Sequence, residues 1–273
     1  MKMRALGPLD VSVVCLGTMT WGAPRPVLCA LRALRRPSTG NQNTEAEAHE
    51  QLDAFVACGG NFVDTAELYP VPPGESHAHV NRAVAAAVAV SAAARSGLHR
   101  KGCTQVAHLP CLLAGPQHVG RTEEFIGSWC AKHPDNRAKL VLATKVSGPM
   151  PVNFVVANRE KTLSGNADED APLPRLVPDQ IRKALAASLV RLQTTYVDLL
   201  QLHWPDRYTP LWGHNQYDKA SEGGHQQQPR STSERVPFDD VVRCLGELMA
   251  AGKIKVLLQL LGCLLMRLHI LTT

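Results

Sequence analysis

The sequence lacks three patterns that would have indicated a function class. Its eight cysteines form no C-x-x-C pair and follow no regular spacing, which argues against a zinc ribbon and against a disulfide framework. Its longest alanine and valine run, residues 83–94, is much shorter than the roughly 20 residues that a membrane helix needs. Asp10 and Ser12 interrupt the apolar patch after Lys2 and Arg4, so a signal peptide is not expected. We therefore expect a cytoplasmic protein with reduced thiols and no membrane partner.

Acidic residues are scarce in three segments of the chain. Residues 23–40 carry four arginines and no acid, residues 75–119 carry four basic residues and Glu75, and residues 257–273 add Arg267. These segments account for the net charge of +5, and the remainder is mildly acidic. The positive charge is thus local and does not indicate a nucleic-acid partner.

The second of these segments also contains a group of potential metal ligands. They are His77, His79, His99, Cys103, His108 and Cys111. These residues show no standard zinc-site spacing. We expect no metal site.

The rest of the chain alternates between apolar strands and amphipathic helices. Thr44 and Glu47 match a capping box, and Pro178 is typical of a first helical position. Residues 1–15 are expected to form a hairpin that leads into the first strand, and a polar loop is expected before Pro178. Strands are predicted at 11–19, 61–66, 139–146, 196–204 and 253–260, and helices at 44–59, around 125–133, from 178 to about 192 and at 238–251. This alternation predicts parallel βα units in one α/β domain.

Polar side chains stand where three of these strands end. Asp64, Lys145 and His203 close successive strands, and Tyr69 lies in the loop after the first of them. In a parallel barrel all four would meet at the same mouth. A phenol normally has a pKa of ~10, and a neighbouring ammonium favours its ionised form, while a carboxylate can stabilise the ammonium. An imidazole can orient a substrate oxygen, so the four residues predict a proton-donor site for a carbonyl. Trp21 could line such a pocket or pack in the core.

Several longer motifs resemble the aldo-keto reductase family of NADPH-dependent (β/α)8 TIM barrels. They are "LGTMTWG" (16–22), "DTAELY" (64–69), "ATKVSGP" (143–149), "SLVRLQTTYVDLLQLHWPDR" (188–207) and "AAGKIKV" (250–256). "AELYPVPP" and "HWPDRY" are most similar to a bacterial and plant-type branch. The resemblance implies that Asp64, Tyr69, Lys145 and His203 form the catalytic tetrad, with Tyr69 as general acid. It also implies a cofactor-binding set next to the nicotinamide: Gly17, Thr18, Met19 and Asp64.

Parts of the chain depart from that pattern. Residues 23–40 and 75–119 are low-complexity insertions between motifs that the family joins directly, and residues 257–273 form a tail without a family counterpart. We therefore predict a partial barrel of about five βα units spanning residues 1–256 and interrupted by both insertions. The expected activity is NADPH-dependent reduction of an aldehyde or ketone, impaired in a chain of this kind. One alternative is a non-catalytic fragment with a binding or regulatory role, and another is an incomplete gene model. The open sheet edges of a partial barrel also predict self-association.

Overall fold

The chain begins with the expected hairpin. The computed structural model describes residues 1–22, 43–71, 119–150, 153–166, 168, 170–207, 235–259 and 270–271. Strand β1 (Met3–Leu6) pairs antiparallel with β2 (Leu9–Ser12), and Gly7 supplies the positive φ of 57° at the turn between them. Leu6 and Leu9 of the hairpin pack against a small cluster on the inner face of the main sheet, formed by Ala143, Leu199 and Val256.

The main sheet contains five parallel strands, as predicted. They are β3 (Cys15–Gly17), β4 (Phe62–Asp64), β5 (Val141–Val146), β6 (Val197–Leu202) and β7 (Ile254–Gln259). Each strand pairs with the next one along the chain, and a short β8 (Ile270–Leu271) pairs antiparallel with β7. Within the described residues the sheet is open, because β3 has a neighbour on one side only. Because these five strands are parallel, their carboxyl ends all lie at the same edge of the sheet.

Helices cover the outer face of this sheet. They are α1 (Glu45–Ala57), α2 (Arg121–Lys132), α3 (Pro134–Arg137), α4 (Phe154–Ser164), α5 (Pro178–Arg191) and α6 (Phe238–Ala250). The predicted capping box is confirmed at α1, where the Thr44 side chain accepts from the Glu47 backbone and the Glu47 side chain accepts from the Thr44 backbone. The main hydrophobic core lies between the helices and the outward-facing strand residues, such as Leu142 and Leu200.

Two sequence expectations need correction. The predicted strand at 11–19 is two elements, because its first residues belong to the hairpin and the exposed Val13 and Val14 separate them from β3. The polar loop predicted before Pro178 contains α4, an eleven-residue helix. The helix predicted around residues 125–133 ends at Lys132, before Pro134 as expected, and Pro134 begins the short separate helix α3, where its missing N–H costs nothing.

Other expectations fall partly outside the described residues. The predicted insertion 23–40 and residues 75–118 of the second one are not described. Val119, the last residue predicted for the second insertion, is buried and packs in a cluster with Leu68 and Tyr69. In the described part of the chain, no helix is long and apolar enough to cross a membrane.

Candidate active site

The fold brings the four predicted catalytic residues to the carboxyl edge of the sheet. Asp64 is the last residue of β4, Lys145 is the penultimate residue of β5, and His203 directly follows β6. Tyr69 lies five residues after Asp64, and its backbone is fixed by hydrogen bonds from its N–H to the oxygen of Ala66 and from the N–H of Gly120 to its own oxygen. These bonds hold the phenol-bearing residue over the strand ends.

Lys145 is the centre of the polar contacts. Its ammonium donates to Asp64 Oδ2 at 2.6 Å, to the backbone oxygen of Thr65 at 2.8 Å and to the Tyr69 hydroxyl oxygen at 3.4 Å. The side chain is only 5% exposed, so burial of the charge depends on these partners. An ammonium has three N–H donors, and all three are directed at the protein. Because the phenol oxygen accepts this bond, its own O–H is free to donate elsewhere.

Asp64 is held on both of its carboxylate oxygens. Lys145 binds Oδ2, and Gln201 Nε2 donates to Oδ1 at 2.8 Å. Gln201 lies opposite Lys145 in the register between β5 and β6, which explains why both side chains reach the same carboxylate. Gln201 was not among the site residues predicted from the sequence. Its position two residues before His203, which places both on the same face of one strand, was the available signal.

His203 lies beside the phenol with a neutral ring. Its ring is 5.8 Å from that of Tyr69, in an edge-on arrangement with an interplanar angle of 80°. Burial, assisted by the positive charge of Lys145, lowers the pKa of His203 to about 3. The ring Nδ1 is buried and has no hydrogen-bond partner among the described residues. A neutral imidazole can offer one N–H donor and one acceptor, so His203 is able to bind an uncharged oxygen next to Tyr69.

The predicted cofactor-binding residues lie at the neighbouring strand end. Gly17 pairs with Asp64 in the register between β3 and β4, and a Cβ atom built on Gly17 would meet no atom within 4 Å. Thr18 is buried, and its hydroxyl donates to the backbone oxygen of Asp64 at 2.9 Å, so it braces this loop. Met19 is 41% exposed. The open space beside Gly17 and the exposed Met19 suit the approach of a flat ring to Asp64.

Trp21, which the sequence left open between pocket wall and packing, belongs to the core. It is 1% exposed, and its indole N–H donates to Gln51 Oε1 on α1 at 3.0 Å. It packs within the main hydrophobic cluster.

Comparison with known proteins identifies the family. The model of the Aldo/keto reductase family matches residues 13–98 and 118–257. The chain belongs to the aldo-keto reductase family. The chain is 33% identical to the protein tas of Escherichia coli K12 over 247 residues. The alignment covers 90% of this chain and 47% of the protein tas. The expected (β/α)8 class agrees with the parallel sheet and its helical layer.

Two further proteins are similar to different shares of this chain. An aldo-keto reductase of Babesia bovis is 36% identical over 118 residues, covering 43% of this chain and 36% of the relative. A solved aldo-keto reductase of Bacillus halodurans, in its holo form, superposes with a TM-score of 0.47 and 20% identity, covering 95% of this chain and 51% of that structure. The chain spans about half the length of the protein tas and of the Bacillus halodurans structure.

Proposed function

We propose that this aldo-keto reductase reduces an aldehyde or ketone to an alcohol with NADPH, and that Tyr69 donates the proton. The observation that carries the proposal is the arrangement around Lys145, whose ammonium contacts both the Tyr69 oxygen and Asp64. When bound, NADPH supplies the hydride that becomes the new C–H bond of the alcohol. Gly17, Met19 and Asp64 are the residues that would lie beside its nicotinamide, with Thr18 supporting them.

The protein residues act on the carbonyl oxygen. His203 donates a hydrogen bond to this oxygen and orients it towards the Tyr69 hydroxyl. As the carbonyl carbon accepts the hydride, negative charge develops on the oxygen, and the Tyr69 O–H bond breaks to give it a proton. The ammonium of Lys145 stabilises the phenolate that remains, and Asp64 keeps that ammonium in place. A proton from solvent then restores the phenol.

The setting of the reaction follows from the same residues. Among the described cysteines, Cys15, Cys58, Cys130 and Cys244 are free thiols, which supports a cytoplasmic location. We propose a small carbonyl compound as the partner, and self-association through the open edge of β3 as a further property of this chain.

The test of this function is a Tyr69→Phe variant, assayed by the loss of NADPH absorbance with a panel of aldehydes and ketones. Removal of the proton donor should lower kcat at least about 100-fold, while NADPH affinity, followed by fluorescence titration, should change little. Tyr196, whose ring lies between Arg137 and Lys255 at the other end of the strands, provides the matched control Tyr196→Phe. Unchanged turnover in Tyr69→Phe would refute the assignment.

The same titration separates catalysis from a binding role. NADPH binding without turnover on any carbonyl would favour the non-catalytic alternative. Absence of both binding and turnover in the folded chain would contradict the proposal.

A further inference from the structure

A buried carboxylate lies between the predicted catalytic residues and takes no part in the proposed chemistry. Glu67 follows β4 in the loop that leads to Tyr69, and it is 1% exposed. Its Oε1 accepts from Arg159 Nη2 at 2.6 Å and from the Ser147 backbone N–H at 2.7 Å, and its Oε2 accepts from Arg159 Nε at 2.8 Å. Burial opposes ionisation of Glu67, but the Arg159 guanidinium and the Ser147 N–H lower the pKa of its carboxyl below the ordinary value.

Arg159, the partner of Glu67, lies on α4, the helix that was not predicted from the sequence. Arg159 is also 1% exposed, and its remaining donor group lies 3.3 Å from Gln180 Oε1. Gln180 is itself fixed, because its side chain accepts from the Arg175 backbone and donates to the Leu173 oxygen. The guanidinium is therefore anchored to the segment that precedes α5 as well as to α4.

The Glu67 carboxylate joins the Tyr69 loop both to α4, through Arg159, and to the residue that follows β5, through the Ser147 N–H. Glu67 is two residues before Tyr69, and Ser147 is two residues after Lys145. A longer backbone bond between the Tyr69 loop and β5 runs from the Glu67 N–H to the Lys145 oxygen at 3.4 Å. The carboxylate of Glu67 thus fixes the separation between the start of the Tyr69 loop and the end of β5.

Stability alone is a weak explanation for such a pair. A buried ion pair pays a large desolvation cost for both charges, and well-packed apolar side chains of similar size often stabilise a protein as well or better. The bidentate geometry, in contrast, specifies one relative orientation of the two groups it joins.

We propose that Glu67 and Arg159 are positioning residues that set the distance between the Tyr69 hydroxyl and the Lys145 ammonium. The inference rests on the proposed function of Tyr69 as proton donor. The two atoms are 3.4 Å apart, at the outer limit of a hydrogen bond, so a small displacement of the loop breaks the contact. Misplacement of a catalytic group by about 1 Å can cost about 100-fold in rate.

The test uses the double variant Glu67→Gln, Arg159→Met. Glutamine keeps an oxygen that can accept from the Ser147 N–H, and the double change leaves no unpaired buried charge, which either charge-removing single change would create. We expect this variant to fold, with kcat for carbonyl reduction lowered about 10- to 100-fold and KM for the carbonyl within about twofold of wild type.

A second ion pair offers a matched control. Arg137 Nη1 donates to Asp198 Oδ2 at 2.9 Å, and the same oxygen accepts from the Leu142 backbone N–H at 3.1 Å. Like Glu67, Asp198 is buried and binds an arginine and a backbone N–H. It differs in that its Oδ1 also pairs with the half-exposed Lys255 at 2.8 Å and that it lies near the amino end of β6. The double variant Arg137→Met, Asp198→Asn should keep kcat within about twofold of wild type, whatever its melting temperature.

An activity-independent measurement separates this inference from the proposed function. With tyrosine labelled at Cζ by carbon-13, the Tyr69 signal can be assigned by its loss in Tyr69→Phe. We expect the signal to move by more than its line width in the Glu67→Gln, Arg159→Met variant and to stay in place in the control. If the wild-type chain reduces no carbonyl, the proposed function fails, and the position of this signal still decides the role of the pair.

Two results would overturn the inference. One is a Tyr69 signal that does not move in a folded Glu67→Gln, Arg159→Met variant, whatever the kcat of that variant. The other is a loss of kcat of equal size in both double variants, since that would track general destabilisation of the fold.

Discussion

Lys145→Met removes the ammonium that lies 3.4 Å from the Tyr69 hydroxyl oxygen. Methionine has a similar length and volume but no charge, so the strand can keep its packing. Asp64 would retain its hydrogen bond from Gln201 and lose its charged partner. The variant therefore tests the electrostatic part of the proposed mechanism at the atom where charge should develop.

The size of the effect follows from the distance. Two unit charges 3.4 Å apart interact by about 5 kcal/mol at an effective dielectric constant of about 20. If about half of a charge has formed on the phenol oxygen in the transition state, the lost stabilisation is about 2.5 kcal/mol, or about 60-fold in kcat. The unpaired carboxylate of Asp64 repels the same developing charge, so about 60-fold is a lower bound.

The assay is steady-state reduction of one aldehyde, with Lys139→Met as control. Lys139 is exposed and precedes the amino end of β5, whereas Lys145 lies at the carboxyl end of the same strand. Among the hydrogen bonds described for it, the Lys139 ammonium donates only to Asn136. We expect Lys139→Met to match wild type. In Lys145→Met we expect kcat to fall at least about 60-fold, because the charge that develops on the phenol oxygen loses its neighbouring cation. A folded Lys145→Met variant that keeps more than about a third of wild-type kcat would refute the reasoning.

Two further predictions concern stability. Burial lowers the pKa of His203 in the folded protein from 6.5 to about 3, so its contribution to the free energy of unfolding is fully present above about pH 6.5 and is lost as the pH falls towards 3. Denaturant melts should show that the wild-type protein loses about 2–4 kcal/mol of stability over this range and that His203→Gln does not. Equal pH dependence in both proteins would contradict this prediction. In α2, a Cβ on Gly127 would overlap the backbone oxygen of Arg191, so Gly127→Ala should cost at least about 1–3 kcal/mol in unfolding free energy. Gly246→Ala in α6 is the control: a Cβ there meets no atom within 4 Å, so the unfolding free energy should rise by up to about 1 kcal/mol. A Gly127→Ala protein as stable as wild type would show that α2 packs less closely against Arg191 than described.

The sequence was sufficient to predict the meeting of Asp64, Lys145 and His203, because parallel strands place their carboxyl ends at one edge and each residue stands at such an end. It could not predict the Glu67 and Arg159 pair. These residues are 92 positions apart, and no spacing rule connects a loop acid with an arginine on a later helix.

The missed helix and the divided first strand have local causes. Val155 and Val156 open α4 without a side-chain cap, and β-branched residues there favour a strand or loop assignment. Residues 11–19 form one β-branched run, and the division between β2 and β3 depends on Ser12, whose backbone and hydroxyl bond to Asn61 49 positions away. A local sequence pattern cannot indicate contacts between residues so far apart in the chain.

The alternation along β5 makes the site sensitive to a kind of mutation that the sheet itself would survive. Thr144 faces the helices and donates to Glu123 on α2, whereas the next residue, Lys145, faces the interior and Asp64. A codon deleted or inserted within β5, before these two residues, would shift the strand by one residue and exchange their faces. The ammonium would then point into the helical layer and the hydroxyl towards Tyr69, with the backbone ladder intact. Changes in chain length are therefore expected to be tolerated in the loops that precede Val141 and to be eliminated by selection within the strand.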